Sequence, residues 1–170
     1  MTRIELESLS LVTFDKQNAE HLNFFKKLVT DDSIIRRFGG LLHMLNNSSN
    51  NESFFNCGYF VLAGNEYIGY IDIGRYIQDE EAIYLRSAIV KEQRNKGYGS
   101  RTLNETSNYI FENYPAVREI KLKTVTDNIE ALKTIKSCGF KPIYGTLFSK
   151  RNPNYEREKI YNYHKNYVNL

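Results

Sequence analysis

The sequence predicts an α/β (α+β) fold: a mixed, mostly antiparallel sheet of six to seven strands flanked by about four helices. Three observations carry that prediction. Period-two apolar runs, the mark of half-buried strands, occur on both sides of a central helical segment. That segment, Ser100 to Asn113, joins the run Ile83 to Val90 to the run Ile120 to Val125, so these two strands run parallel at the centre of the sheet. A second helical stripe, Ile129, Leu132, Ile135 and Cys138, follows at once.

Taken in order, Ile4, Leu6, Leu9, Leu11, Val12 and Phe14 alternate as a first strand. From Asn18 the spacing turns helical, with Leu22, Phe25 and Leu28 on one stripe, and Asp31, Asp32 or Ser33 can cap a short second helix through Phe38. The polar run Asn46 to Asn51 reads as an exposed mobile loop. A hairpin follows, Phe60 to Ala63 against Tyr67 to Ile73, turning at Gly64-Asn65-Glu66, with Asp79-Glu80-Glu81 in or beside the next connection. Pro115 closes the central helix and Gly139 the later one. Ile143 to Phe148 and Ile160 to Tyr163 read as two final strands around Asn152-Pro153-Asn154.

The totals narrow the function. The 170 residues fit one domain, 1–170, and 13 Tyr with 10 Phe supply large core side chains without any Trp. A net charge of +3 falls far short of a nucleic-acid-binding stripe and suits a small anionic ligand. Cys57 and Cys138 lack CxxC spacing, no apolar run approaches the ~18 residues of a membrane span, and no signal-like segment opens the chain. We therefore expect a cytoplasmic protein without membrane contact. No carboxylates or histidines show metal-ligand spacing, so no metal is expected, and His21, His43 and His164 read as isolated histidines.

The chemistry concentrates between the parallel strand and the central helix, at Arg94-Asn95-Lys96-Gly97-Tyr98-Gly99. Gly97 and Gly99 can take positive φ, letting successive N–H groups converge, and the helix start adds unpaired donors and the positive end of its dipole. With Arg94, Lys96 and Arg101 nearby, the natural guest is a phosphate or pyrophosphate.

Arg94-x-x-Gly97-x-Gly99, followed some thirty residues on by Asn128-x-x-Ala131 and Gly139-Phe140, resembles the two cofactor motifs of the GCN5-related N-acetyltransferase (GNAT) family over roughly Phe54 to Tyr163. The resemblance implies a parallel strand pair splayed around acetyl-coenzyme A, the acyl donor. Backbone N–H groups from Arg94 to Ser100 (Arg94, Asn95, Lys96, Gly97, Tyr98, Gly99, Ser100) would hold the pyrophosphate, with Arg94, Lys96 and Arg101 as counter-charges. Ile89 and Lys91 would offer backbone to the pantetheine arm, and Asn128 and Ala131 would open the second cofactor helix, Asn128 serving the arm or a simple N-cap. The implied reaction is direct attack of a neutral primary amine on the thioester, its oxyanion held by an N–H near Ile89. The acceptor is an amine-bearing small molecule or protein, and a homodimer is left open.

Departures from the family pattern leave the proton chemistry unassigned. Ile135 stands where the family often has a proton-donating tyrosine, with Tyr144 and Tyr84 as substitutes and Cys138 nearby as core. Some members place a glutamate where this chain has Ile83. The candidates for a base are Glu81, two residues earlier on the same face, and Asp72 on the preceding strand; a solvated hairpin charge is the bland reading of either. The competing function is a non-catalytic acetyl-coenzyme A binding, sensing or interaction module.

Overall fold

A computed structural model describes residues 2–38, 54–76 and 79–155; the expectations placed on His43, the Asn/Ser loop, Ile160 to Tyr163 and His164 lie outside these residues. The strands are β1 (Arg3–Glu5), β2 (Ser10–Thr13), β3 (Cys57–Ala63), β4 (Glu66–Tyr76), β5 (Asp79–Ile89), β6 (Glu119–Lys123), β7 (Lys141–Tyr144) and β8 (Leu147–Arg151). The helices are α1 (Ala19–Thr30), α2 (Asp32–Phe38), α3 (Tyr98–Asn113) and α4 (Ile129–Ser137). The strands form one sheet in the order β1-β2-β3-β4-β5-β6-β8-β7, in which, among the described residues, β5 and β6 pair in parallel and the other neighbours antiparallel. Among the described residues no helix is long and apolar enough to cross a membrane.

The count exceeds the expected six to seven because two apolar runs are hairpins. The first strand folds back where the Leu6 N–H bonds the Leu9 carbonyl (2.9 Å), and the buried Glu105 carboxylate of α3 accepts from the Ser8 and Leu9 amides to hold that bend (2.8 and 3.1 Å). The run from Ile143 to Phe148 reverses at Gly145, whose φ of 54° suits a two-residue hairpin turn.

Strand alternation sorts side chains onto two faces. Leu11, Val61, Ile71, Ile73, Ile83 and Leu85 pack under α3 and α4, whereas Val12, Phe60, Tyr70 and Val90 pack under α1 and the start of α2. The α1 stripe keeps Leu28 but differs from the expected one in the first turns: His21 and Phe24 are buried and Leu22 is exposed. His21 is buried because its Nδ1 accepts from the Asp15 amide (2.9 Å) and its ring packs edge-on against Phe60 and Tyr67; burial pushes its pKa down against the opposing pull of Asp15 and Glu20.

Candidate functional site

The site begins where the parallel pair parts. β5 pairs with β6 from Ala82 to Leu85 against Glu119 to Leu122, then runs on to Ile89 beside β4 alone. The Val90 amide donates to the Ile68 carbonyl (3.0 Å), which fixes the antiparallel phase: even-numbered residues at this end of β5 bond to β4. Ser87 and Ile89 therefore turn their N–H and C=O groups away from β4, into the fork. Side chains from Arg86 to Ile89 are only half-buried, unlike those of Ala82, Ile83 and Leu85.

At the mouth of the fork, β5 gives way to a single 3-10 turn, Lys91–Gln93, and then to the predicted turn. Asn95 (φ 63°) and Gly97 (φ 78°) are left-handed, and Gly97 is the N-cap of α3 with no capping side chain. The first bond into the helix is Arg101 N–H to Gly97 C=O (3.1 Å). Among the described residues, the amides from Lys96 to Ser100 have no protein acceptor. A cluster of unsatisfied donors at a helix start is an anion cradle. Gly99 differs from expectation: it lies inside the helix without positive φ, and a Cβ there would meet Thr134 at an ordinary 3.7 Å.

The three predicted counter-charges have different fates. Lys96 donates to Gln93 Oε1 (2.9 Å), and Arg101 lies over the Tyr98 ring (4.4 Å to the centroid); both residues are exposed. Arg94 instead turns inward: Nε donates to the Ile89 carbonyl (2.9 Å), and Nη2 donates to Ser33 Oγ (2.8 Å) and lies 3.3 Å from Asp31 Oδ2. Burial works to raise the Asp31 pKa, but hydrogen bonds from Ser33, the Arg94 charge and the Ile34 amide hold it below the ordinary value. A groove of about 460 Å³ lies beside this ion pair, bounded by Lys27, Thr30, Lys91 and Glu92.

Lys91 lies past the end of the strand, its carbonyl accepting from the Arg94 amide (3.3 Å), so the backbone partner of Ile89 along the fork is Ser87. Sequence reasoning passed over Ser87, although one two-residue step back along the strand from Ile89 leads to it. Asn128 caps α4, its Oδ1 accepting from the Ala131 amide (3.4 Å) while Nδ2 reaches Thr124 Oγ1 (3.4 Å).

The structure separates the catalytic candidates. Asp72 is fully buried on the α1/α2 face, opposite Arg86, which corrects its reading as a solvated hairpin charge. Its Oδ1 accepts from the Tyr70 hydroxyl and its Oδ2 from Arg86 Nε (2.9 Å); burial raises its pKa, opposed by both partners. Gly58 makes room for this group, since a Cβ there would lie 2.1 Å from the Tyr70 hydroxyl oxygen. Glu81 sits at the closed end of the fork, eight residues from Ile89 or about 26 Å along an extended strand. There it accepts from the Tyr155 hydroxyl (2.9 Å) and faces Arg118 (3.8 Å), which also pairs with Asp79. Tyr144 is 85% exposed on the edge strand β7, with β8 and β6 between it and β5. Tyr84 is half-buried two residues before Arg86 and shares its face. Ile135 and Cys138 are core; the Cys138 thiol lies 3.6 Å from the Ser100 carbonyl, and burial pushes its pKa up. Among the described residues no group of His, Cys, Asp and Glu could hold a metal ion.

Comparison with known proteins agrees with this geometry. The model of the acetyltransferase (GNAT) family matches residues 22–140. Comparison with curated proteins found no match. Among solved structures, a GNAT-family acetyltransferase from Bacillus anthracis superposes with a TM-score of 0.68 at 15% identity, over 89% of this chain and 99% of the other. The aminoglycoside acetyltransferase AAC(6')-Ib in complex with coenzyme A gives 0.67 at 15% identity over 89% and 98%. The spermidine N-acetyltransferase of Vibrio cholerae in complex with CoA and spermine gives 0.67 at 17% identity over 87% and 98%.

Proposed function

Because the chain belongs to the GNAT acetyltransferase family, we propose that it transfers the acetyl group of acetyl-coenzyme A to a primary amine at the β5/β6 fork. The observation that carries this reading is the meeting of two sets of unpaired backbone groups, the amides from Lys96 to Ser100 and the open edge formed by Ser87 and the Ile89 amide, the Ile89 carbonyl being taken by Arg94. Bound acetyl-coenzyme A would supply an activated thioester; the chain's own groups supply the rest. The turn amides hold the pyrophosphate, with Lys96 and Arg101 adding charge at its rim. Ser87 and the Ile89 amide offer sheet-like bonds to the pantetheine arm, and Ser87, two residues past the last β6 pair, directs its N–H toward the reacting carbonyl oxygen.

An amine of ordinary pKa near 10 must lose a proton before it attacks. Asp72 lies beside the fork but is wholly covered, so we assign it a positioning role: it fixes Arg86 on the acceptor-facing side while water takes the proton. Tyr84, on that same face, is the nearer candidate for protonating the departing thiolate, and Glu81 belongs to the ion-paired closed end. We read residues 1–170 as one acetyltransferase-like domain working in the cytoplasm. Polyamines and aminoglycosides, the classes to which the amines named for the similar structures belong, head the list of acceptors, ahead of protein N-termini and lysines.

Thiol release from acetyl-coenzyme A across a panel of such amines tests the proposal: turnover on at least one class is expected. Tight coenzyme A binding with no turnover on any amine would replace it with the second reading, a coenzyme A sensing module. That reading is favoured by Ile135, buried in the core where the family often carries its proton-donating tyrosine.

A further inference from the structure

We infer that Arg94 is a wedge and strut rather than a phosphate counter-charge: it holds the fork open and couples the coenzyme A site to the junction of α1 and α2. This rests on the proposed coenzyme A site. A strand that leaves its parallel neighbour strands its outward carbonyls, and a buried acceptor without a partner costs about 1–3 kcal/mol. Ile89, turned away from β4 at the open end of β5, has such a carbonyl. Arg94 Nε fills the place that a β6 amide would take (2.9 Å), so β5 can diverge from β6 without leaving that carbonyl unpaired.

The rest of the guanidinium reaches across to the α1/α2 junction. Nη2 donates to Ser33 Oγ at 2.8 Å and meets Asp31 Oδ2 at 3.3 Å. Asp31 is in turn fixed by the Ser33 and Ile34 amides at the first turn of α2 (2.9 and 3.3 Å). One planar side chain, three residues before Gly97, therefore ties the end of β5 to the start of α2. Its Arg94 partners lie on elements far apart in sequence, so a shift of the turn on binding a pyrophosphate is transmitted to α2 through a rigid fork of donors. Lysine, a point charge on a flexible stem, cannot serve the Ile89 carbonyl and the Ser33/Asp31 pair together.

The two roles predict opposite responses. If Arg94 is a strut, Arg94→Lys and Arg94→Ala weaken coenzyme A binding to the same modest extent, within about 10-fold, which corresponds to about 1.4 kcal/mol. Asp31→Asn, on the far side of the strut, then also weakens binding, and Arg94→Lys with Asp31→Asn is no worse than Arg94→Lys alone. If Arg94 is a phosphate ligand, Arg94→Lys keeps the wild-type affinity, Arg94→Ala loses it, and Asp31→Asn tightens binding by freeing the charge. The experiment is calorimetry with coenzyme A on these variants, paired with hydrogen exchange. In the wild type, coenzyme A should protect the amides of residues 33–35 as well as those of 96–100. In Arg94→Lys the protection at 96–100 should persist and that at 33–35 should vanish. Equal protection of 33–35 in both proteins, or tighter binding by Asp31→Asn, overturns the strut. Absence of any coenzyme A binding by the wild type would instead overturn the proposed cofactor site.

Discussion

Replacing Gly97 by alanine should weaken coenzyme A binding, whereas the same change at Gly99 should not. At Gly97 a Cβ would meet nothing within 4 Å, so steric exclusion by the protein cannot be the cause of a loss. The cost comes from φ 78°, a left-handed conformation that costs an L-residue about 1–2 kcal/mol. The turn there is exposed and uncapped, so in the free protein it relaxes away from the strained conformation. Coenzyme A must then restore that conformation, and 1–2 kcal/mol is about a 5- to 30-fold loss of affinity. Gly99 sits in the helix, with 3.7 Å to Thr134, so alanine fits and gains about 0.5–1 kcal/mol of helix stability. Isothermal titration with coenzyme A, alongside thermal melts of both variants, makes the comparison. Wild-type affinity in Gly97→Ala, or an equal loss in Gly99→Ala, would refute the view that the left-handed turn organises the donors.

Other expectations follow from the same geometry. Asp72→Ala leaves Arg86 and Tyr70 without their shared acceptor, and should cost of order 3 kcal/mol in a denaturant titration, since Arg86 keeps some access to water. Asp72→Asn should lower kcat by less than about 10-fold if Asp72 only positions Arg86, with the pH profile unmoved; loss of the acidic limb would make it the base. Acidification should destabilise the fold in part through Asp31: with its folded pKa below the ordinary 3.8, its contribution is whole above that value and is lost as pH falls through the lowered one. Melts of Asp31→Asn against pH should lack that component. Asn128→Ala should cost about 0.5–1 kcal/mol, the loss of one N-cap, measured by chemical denaturation.

Legibility of the fold tracked how much of each element was decided locally. The parallel pair, its crossover helix and the turn between them were readable because alternation, helical spacing and Gly97 each specify backbone without reference to distant residues. The two extra strands were not, because a hairpin inside one apolar run depends on a bend held from elsewhere, in the first case by Glu105, some 96 residues from Leu9. The site divides in the same way. The backbone donors from Lys96 to Ser100 belong to a local motif. The fate of Arg94 was hidden, since its partners Asp31 and Ser33 lie 63 and 61 residues away. Burial of Asp72 was equally invisible, because a single acidic residue in a strand looks the same whether water or Tyr70 and Arg86 surround it.

Amide chemical-shift mapping with coenzyme A is the most direct measurement, because it reads the backbone N–H groups themselves, which no side-chain truncation removes. The account predicts that the largest perturbations fall on Lys96 through Ser100, with Ser87 and Ile89 next and Glu81 and Tyr144 unmoved. Perturbations confined to other parts of the sheet, with those amides unchanged at saturation, would contradict it.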